Sequence, residues 1–267
     1  VWDQAGVACI LSKFQRRLGH NVSISKRTGY DPFKIFSFYD EPLLNLDGKK
    51  FIDFVLEEST QYDIIHVHSL YKIVPLIRKK NKNKFIILHC DGSELRNGFS
   101  NMSLKEVILR AENNSNLILV STPDLLKYSP RAIYLNNPID REHFKPVRYR
   151  QSNNNYLTMK TDNLDIGLLK NYLKSNNLEF NLQIHDRTAN PIFYNDMPYF
   201  LNKFDTYVDI RFINNRLLEN LSKTALECLA CNLKVLTYNL KIINNFPQTH
   251  DGYGITAKLM SIIKSNS

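Results

Sequence analysis

The sequence predicts an α/β protein of two Rossmann-like, doubly wound domains facing a cleft, the second of them short. Three observations predict it. Short apolar strand patterns alternate with amphipathic helical ones along the chain, as parallel βαβ units require. A stretch poor in core formers, from Pro146 to Asn155, interrupts that alternation near the middle. The 267 residues suffice for two modest cores. The expected domains are 1–146 and 147–267, with the C-terminal helix packing back on the first.

Taken in order, Val1-Trp2 reads as the end of a strand. Val7, Ile10, Leu11, Phe14 and Leu18 then recur at helical spacing, and Gly19 stops that helix. Residues 21–24 are expected as a short strand and 62–68 as a compact apolar one. A helix over 69–79, a strand over 84–88 and a helix over 104–111 follow. Strands at 116–121 and 132–135 close the first half. In the second half strands are expected at 156–159, 180–184, 206–210 and 234–238. They alternate with helices at 166–175, 198–203, 222–231 and 255–264. Ligands of such sheets sit beyond the carboxyl ends of the strands, near helix N-termini.

Composition excludes several classes. A chain that is 43% hydrophobic and 23% charged is neither disordered nor fibrous. No apolar run approaches the ~20 residues that span a bilayer. Four cysteines are too few and scattered for a disulfide framework. Cys228 and Cys231 form a CxxC, but a second ligand pair at metal-site spacing is absent. All four, Cys9 and Cys90 included, are read as packing residues of a reducing, cytoplasmic protein.

The net charge of +9 implies an anionic partner. Much of it is local, because 72–84, KIVPLIRKKNKNK, holds six basic residues and no acid. One reading is a solvated helix end. Another is peripheral contact with an anionic inner-membrane face, where each exposed cation gains roughly 1 kcal/mol. No recognised DNA- or RNA-binding motif is present, so nucleic acid is not an expected partner.

The segment 219–238, ENLSKTALECLACNLKVLTY, carries the most chemistry. Ser222 is a good N-cap, so Glu219 falls in the loop before a helix and Glu227 on the helix body. The helix start at Ser222, Lys223 and Thr224 aims amides and a positive dipole end at a cleft, which favours a diphosphate. Carboxylates for sugar hydroxyls beside amides for phosphates make a coherent sugar-nucleotide site. On spacing alone the more frequent reading is two surface glutamates around an ordinary amphipathic helix.

This segment resembles the E-x7-E region of retaining GT-B glycosyltransferases of family four (glycosyl transferases group 1). Glu219 and Glu227 match the two glutamates, Cys231 a common cysteine and Asn232 the usual glycine. Upstream, WDQAGVACILSKFQRRLGHNVSI resembles the family's opening at Gly6, Val7, Ala8, Leu18, Gly19, His20 and Val22. DIIHVHS at 63–69, ILHCDGSELR at 87–96 and LNNPIDREHFKP at 135–146 resemble three further motifs, all in the family's order.

The resemblance implies transfer of a hexosyl group from a nucleoside-diphosphate sugar to a hydroxyl of a saccharide or lipid-linked acceptor, with retention. It implies polysaccharide or glycolipid biosynthesis without a metal or other cofactor. It places Glu227 on the ribose, Glu219 and His89 near the donor sugar, and Gly6 near phosphates or acceptor. The family's Gly-Arg pair for the diphosphate is missing from YLTMKTDNLDIG, where Lys160 is the nearest cation. That departure keeps open a degenerate module that binds nucleotide or partner without turnover. Other reactions of the fold, such as sugar-nucleotide epimerisation or phosphorolysis, also remain.

His66 and His68 lie on the expected strand 62–68 and are read as facing opposite sides, so no shared metal is expected.

Overall fold

The computed structural model describes residues 5–27, 31–99, 101–147, 154–160, 164–213 and 215–266. The expected strand end at Val1-Trp2 and most of the polar break lie outside these residues. The chain forms two compact units, one of Val1–Asp31, Ile35–Pro138 and Gly252–Ser267, the other of Pro32–Lys34 and Ile139–Asp251. The main break thus falls at Pro138, short of Pro146.

In chain order the first unit opens with α1 (Val7–Arg17), β1 (Lys26–Arg27), α2 (Ile35–Phe38), β2 (Leu43–Leu44) and α3 (Gly48–Glu58). β3 (Ile64–His68), α4 (Val74–Lys80), β4 (Phe85–Cys90) and α5 (Ser93–Gly98) follow. α6 (Met102–Asn113), β5 (Leu117–Val120) and β6 (Ile133–Tyr134) lead to the break. The second unit holds β7 (Tyr156–Lys160), α7 (Ile166–Ser175), β8 (Leu182–Asp186), α8 (Met197–Leu201) and β9 (Thr206–Asp209). It continues with β10 (Phe212–Ile213), β11 (Arg216–Leu217), α9 (Lys223–Ala230), β12 (Lys234–Thr237) and β13 (Ile242–Ile243). Last comes α10 (Gly252–Asn266), which belongs to the first unit.

The first unit is built on a parallel sheet ordered β3-β4-β5-β6, with β1 and β2 pairing separately. Both faces are covered, so its strands are apolar on both sides. Val67, Ile86, Leu88, Cys90 and Val120 meet Val74 and Ile77 of α4 and Ile108 and Ala111 of α6 on one face. Ile87, Leu117 and Leu119 meet Val7 and Leu11 of α1 and Ile255, Leu259 and Ile263 of α10 on the other. The second unit carries a sheet ordered β13-β12-β9-β7-β8, parallel except for β13. Leu169 and Leu173 of α7 pack there on Val208, Ile210 and Leu236.

Local chemistry sets the ends. α1 stops where Gly19 takes φ +87°, with His20 N returning to Gln15 O at 3.1 Å. Asp165 caps α7, its Oδ1 accepting from Leu168 N at 2.9 Å. Three expectations need correction. No strand forms at 21–24; the backbone pairs first at Lys26–Arg27. The expected helix at 69 begins instead at Val74 after a 3-10 turn, because Ser69 sits at φ +55° and Pro75 suits a first helical turn. The strand expected at 180–184 runs Leu182–Asp186, with Phe180 left to stack on Tyr156 at 4.0 Å.

Leu259 is fully buried against the first unit's sheet. Leu259→Ala is expected to destabilise that unit by ~2–5 kcal/mol. Urea unfolding followed by hydrogen exchange at β4 and β5 measures this, and an unchanged midpoint would contradict the docking of α10.

Candidate functional site

The carboxyl ends of β7, β8 and β9 deliver Lys160, Asp186 and Asp209, and the turns just beyond add Arg187 and Arg211. These ends are neighbours because β9, β7 and β8 are adjacent in the sheet. α9 starts at the same place, since Asp209 Oδ2 accepts from Ser222 N at 2.8 Å. Ser222 then caps the helix, its Oγ accepting from Ala225 N at 3.0 Å. Lys223 and Thr224 form the first turn. Asn232, at φ +63°, ends the helix as a left-handed residue should.

Asp209 is 1% exposed and anchors the loop that carries Glu219. Its Oδ1 lies 3.1 Å from Arg211 Nε, off the hydrogen-bond line, so the contact is an ion pair. Arg211 Nη2 donates to the carbonyl O of Asn220 and, at 3.2 Å, to its Oδ1. Leu218 N donates to Arg211 O at 2.9 Å. Glu219 is therefore exposed, yet pinned on either side by Leu218 and Asn220.

Glu227 is only 6% exposed. Burial raises its pKa, while Lys223 and then Arg187 pull it back. Lys223 Nζ stands 3.9 Å from Glu227 Oε1, one helical turn away. Arg187 stacks its guanidinium 4.3 Å from the centre of the Phe33 ring. Its Nε is buried without a hydrogen-bond partner. Sequence reasoning missed Arg187, Arg211 and Asp209. The only signal was a charged residue directly after or at the end of each apolar strand.

Lys160, expected near the diphosphate, ends β7 beside Asp186 of β8. Its Nζ holds Asp186 Oδ2 at 2.8 Å, and with the Ala189 amide this lowers the Asp186 pKa to about 2. The structure thus gathers Glu219, Ser222, Lys223, Thr224 and Glu227 around one helix start, and ties Lys160 to Asp186.

Gly6 and His89 belong to the first unit. Gly6 precedes α1 at φ +73°, where a side chain costs roughly 1–2 kcal/mol. His89, at the carboxyl end of β4, is fully buried. Its Nδ1 lies 3.2 Å from His66 Nε2, and its Nε2 3.0 Å from Ser121 Oγ. His66 and His68 do not face opposite sides. Strand side chains repeat every second residue, so the two rings share a face, 4.2 Å apart. Val67, between them, points into the other core.

Three of the six basic residues of 72–84 are engaged within the fold. Arg78 donates to the carbonyls of Lys82 and Lys84 at 2.9 Å each and of Asn114 at 3.1 Å. Lys80 pairs with Glu57 at 3.1 Å and Lys84 with Asp63 at 3.7 Å. Among the described residues no helix is long and apolar enough to cross a membrane. All four cysteines are buried thiols.

No family model and no curated protein matches the chain. Solved structures do. HepE (Alr3699) of Anabaena in complex with UDP-glucose is 10% identical, with 98% of this chain and 86% of that one covered, at a TM-score of 0.60. The same protein with UDP and glucose is 11% identical over 98% and 87%, at 0.59. The UDP-GlcNAc 2-epimerase of Methanocaldococcus jannaschii, in complex with UDP-GlcNAc and UDP, is 10% identical over 97% and 96%, at 0.50. These likenesses show the fold, two mostly parallel Rossmann-like α/β units of GT-B type.

Glu227 gives the site a pH signature. A carboxyl whose pKa is raised on folding binds its proton more tightly in the native state. Its stability contribution is full below the ordinary value of 4.5 and is lost as pH climbs through the raised pKa. Glu227→Gln is expected to flatten this decline, so its melting temperature relative to the parent rises from pH 4.5 upward. Melts across pH 4 to 8 test it, and parallel curves would remove the buried-acid assignment.

Proposed function

We propose that the chain is a sugar-nucleotide enzyme, transferring a hexosyl group from a nucleoside-diphosphate sugar to a hydroxyl acceptor with retention. The observation that carries this is the buried, unpartnered Nε of Arg187 beside the Lys223–Glu227 pair at the start of α9. A diphosphate supplies the acceptor oxygens that Arg187 lacks, and the helix dipole and Lys223 favour the same charge. Arg187 thereby takes the task that sequence analysis looked for in a Gly-Arg pair on the first strand of this unit.

In this reading Glu227 receives the ribose hydroxyls, and the pinned Glu219 faces the donor sugar. Arg187, Lys223 and the helix start stabilise the departing diphosphate, an electrostatic role like that of an oxyanion hole. The reading assigns no side chain as enzymic nucleophile, and the acceptor attacks on the same face from which the diphosphate leaves. The acceptor is a saccharide or lipid-linked hydroxyl. Supporting the reading, a protein of this fold has been observed with UDP-glucose, and with UDP and glucose together. Epimerisation of UDP-GlcNAc is the second reading, favoured by the likeness to the M. jannaschii enzyme over 96% of its length.

Calorimetry with UDP is expected to show binding weakened about 10–100-fold by Glu227→Ala or Arg187→Ala, the worth of a charge-assisted hydrogen bond. Unchanged affinity in folded variants would remove both assignments. NMR of UDP-glucose and UDP-GlcNAc incubated with the protein and a panel of hydroxyl acceptors reads the reaction class. Glycoside formation with UDP release supports transfer, a C2 epimer supports the second reading, and intact donor with tight UDP binding supports a non-catalytic module. Glu219→Gln, which keeps shape and removes charge, is expected to lower turnover by about 10²-fold, or ~3 kcal/mol, with UDP affinity unchanged.

A further inference from the structure

The first unit contains a second cluster of chemistry that the proposed reaction does not use. His66 and His68 of β3 and His89 of β4 lie on one face of the sheet, because His68 is paired with His89 and His66 with Ile87. Each ring brings a nitrogen within 4.8 Å of the other two. The 3.2 Å between His66 Nε2 and His89 Nδ1 is close to the ~3.3 Å that separates two ligand nitrogens around a tetrahedral zinc at ordinary bond lengths.

Protonation favours the same conclusion. Ser121 Oγ donates to Asp91 Oδ1 at 2.8 Å, which spends its one hydrogen there. Ser121 Oγ must then accept from His89 Nε2, 3.0 Å away. That fixes the His89 tautomer with the proton on Nε2 and the lone pair on Nδ1, directed at His66. A carboxylate acting through a hydroxyl on the far nitrogen of an imidazole is the arrangement that orients metal-bound histidines. His68 Nδ1 is buried with no hydrogen-bond partner, in a residue only 2% exposed. Such an orphaned group costs stability unless something coordinates it.

We propose that His66, His68 and His89 form a binding site for a divalent transition metal, of the class of Zn²⁺ or Co²⁺. Three imidazoles select that class over Mg²⁺ or Ca²⁺, which take oxygen ligands. On binding, the proton of His66 Nε2 passes through solvent to its Nδ1, which keeps the ring neutral, and both rings turn so that the freed Nε2 lone pair and that of His89 Nδ1 converge on the metal. Neutral ligands leave the full charge of the ion in place. A fourth position is left for water or an anion. His66 and His68 also line a cavity of 390 Å³ bordered by Leu11, Ser12, Ile24 and Tyr62, so a fourth ligand has a route to the metal from that side.

The test uses the full chain, stripped with chelator at neutral pH and titrated with Co²⁺ and then Zn²⁺. One equivalent of Co²⁺ with a tetrahedral ligand-field spectrum, displaced by Zn²⁺, is the expected result. His66→Gln with His68→Gln is expected to weaken uptake by more than 100-fold. Ser121→Ala, which removes only the orienting hydroxyl, is expected to weaken it 10–100-fold. Cys228→Ser with Cys231→Ser leaves uptake unchanged. X-ray absorption of the zinc-loaded parent needs no variant to fold, and three imidazole nitrogens are expected. No saturable uptake, uptake retained by the folded double-histidine variant, or a sulfur ligand on the metal would each overturn the proposal.

Discussion

Burial of both faces of each main parallel sheet is the constraint from which the chemistry of this protein follows. A covered strand tolerates a polar side chain in its interior only if a partner lies within reach, as Thr158 shows by donating to Val208 O at 3.0 Å. Charged and titratable groups therefore collect where strands end. Lys160, Asp186 and Asp209 close β7, β8 and β9 in the second unit. His68, His89 and Ser121 stand at or next to the ends of β3, β4 and β5 in the first. Parallel pairing puts all these ends on one edge of each sheet, and the chain needs no further device to concentrate reactive groups there.

What the second unit does with that edge is set by a competition at Glu227. Desolvation disfavours the charged carboxylate, and Lys223 and Arg187 only partly restore it. An apolar residue at that position of α9 would be the more stable choice, since a buried ion pair seldom repays its desolvation. In the proposed reading the carboxylate is there for what it offers a ligand rather than for what it gives the fold. The clamp around Glu219 argues the same way, because Asp209 and Arg211 commit a buried ion pair to holding a loop whose acid stays exposed.

Much of the fold was legible because its signals are local. Ser222, Asp165 and Gly19 mark helix ends by chemistry that operates within four residues. The helix Gly48–Glu58 carried its own signature, with Asp47 as cap and Phe51, Ile52, Val55 and Leu56 on one side, a signal that a search for apolar strands passes over. The start of α4 was less legible, since Ser69 adopts positive φ where no glycine announces it. Of the site, the acids on either side of a helix start could be read from spacing and resemblance. Arg187 could not, because its closeness to Glu227 exists only once β8 and α9 are folded into one unit. The parity of His66 and His68 was fully determined by the two-residue period of a strand. Applying that period correctly puts both on one face, and the register that pairs His68 with His89 then completes the histidine cluster.

The excess of positive charge illustrates why composition identifies a class of partner more readily than a place. Six basic residues between 72 and 84 suggest an anionic surface, yet Arg78 is spent on closing its own loop. Its guanidinium satisfies the carbonyls of Lys82, Lys84 and Asn114, which otherwise lie beyond the ladder of β4. Lys80 and Lys84 face carboxylates as well. Exposed pairs of this kind are worth at most about 1 kcal/mol, but they lower the local field that a membrane would meet. At the carboxyl edge of the second unit the balance is different. There Arg187 keeps an unsatisfied donor out of water, a state that costs free energy in the absence of an acceptor and is repaid by an anion with oxygens to spare. One poorly satisfied guanidinium is a stronger pointer to an anionic ligand than a run of solvated lysines, because only the former is improved by binding.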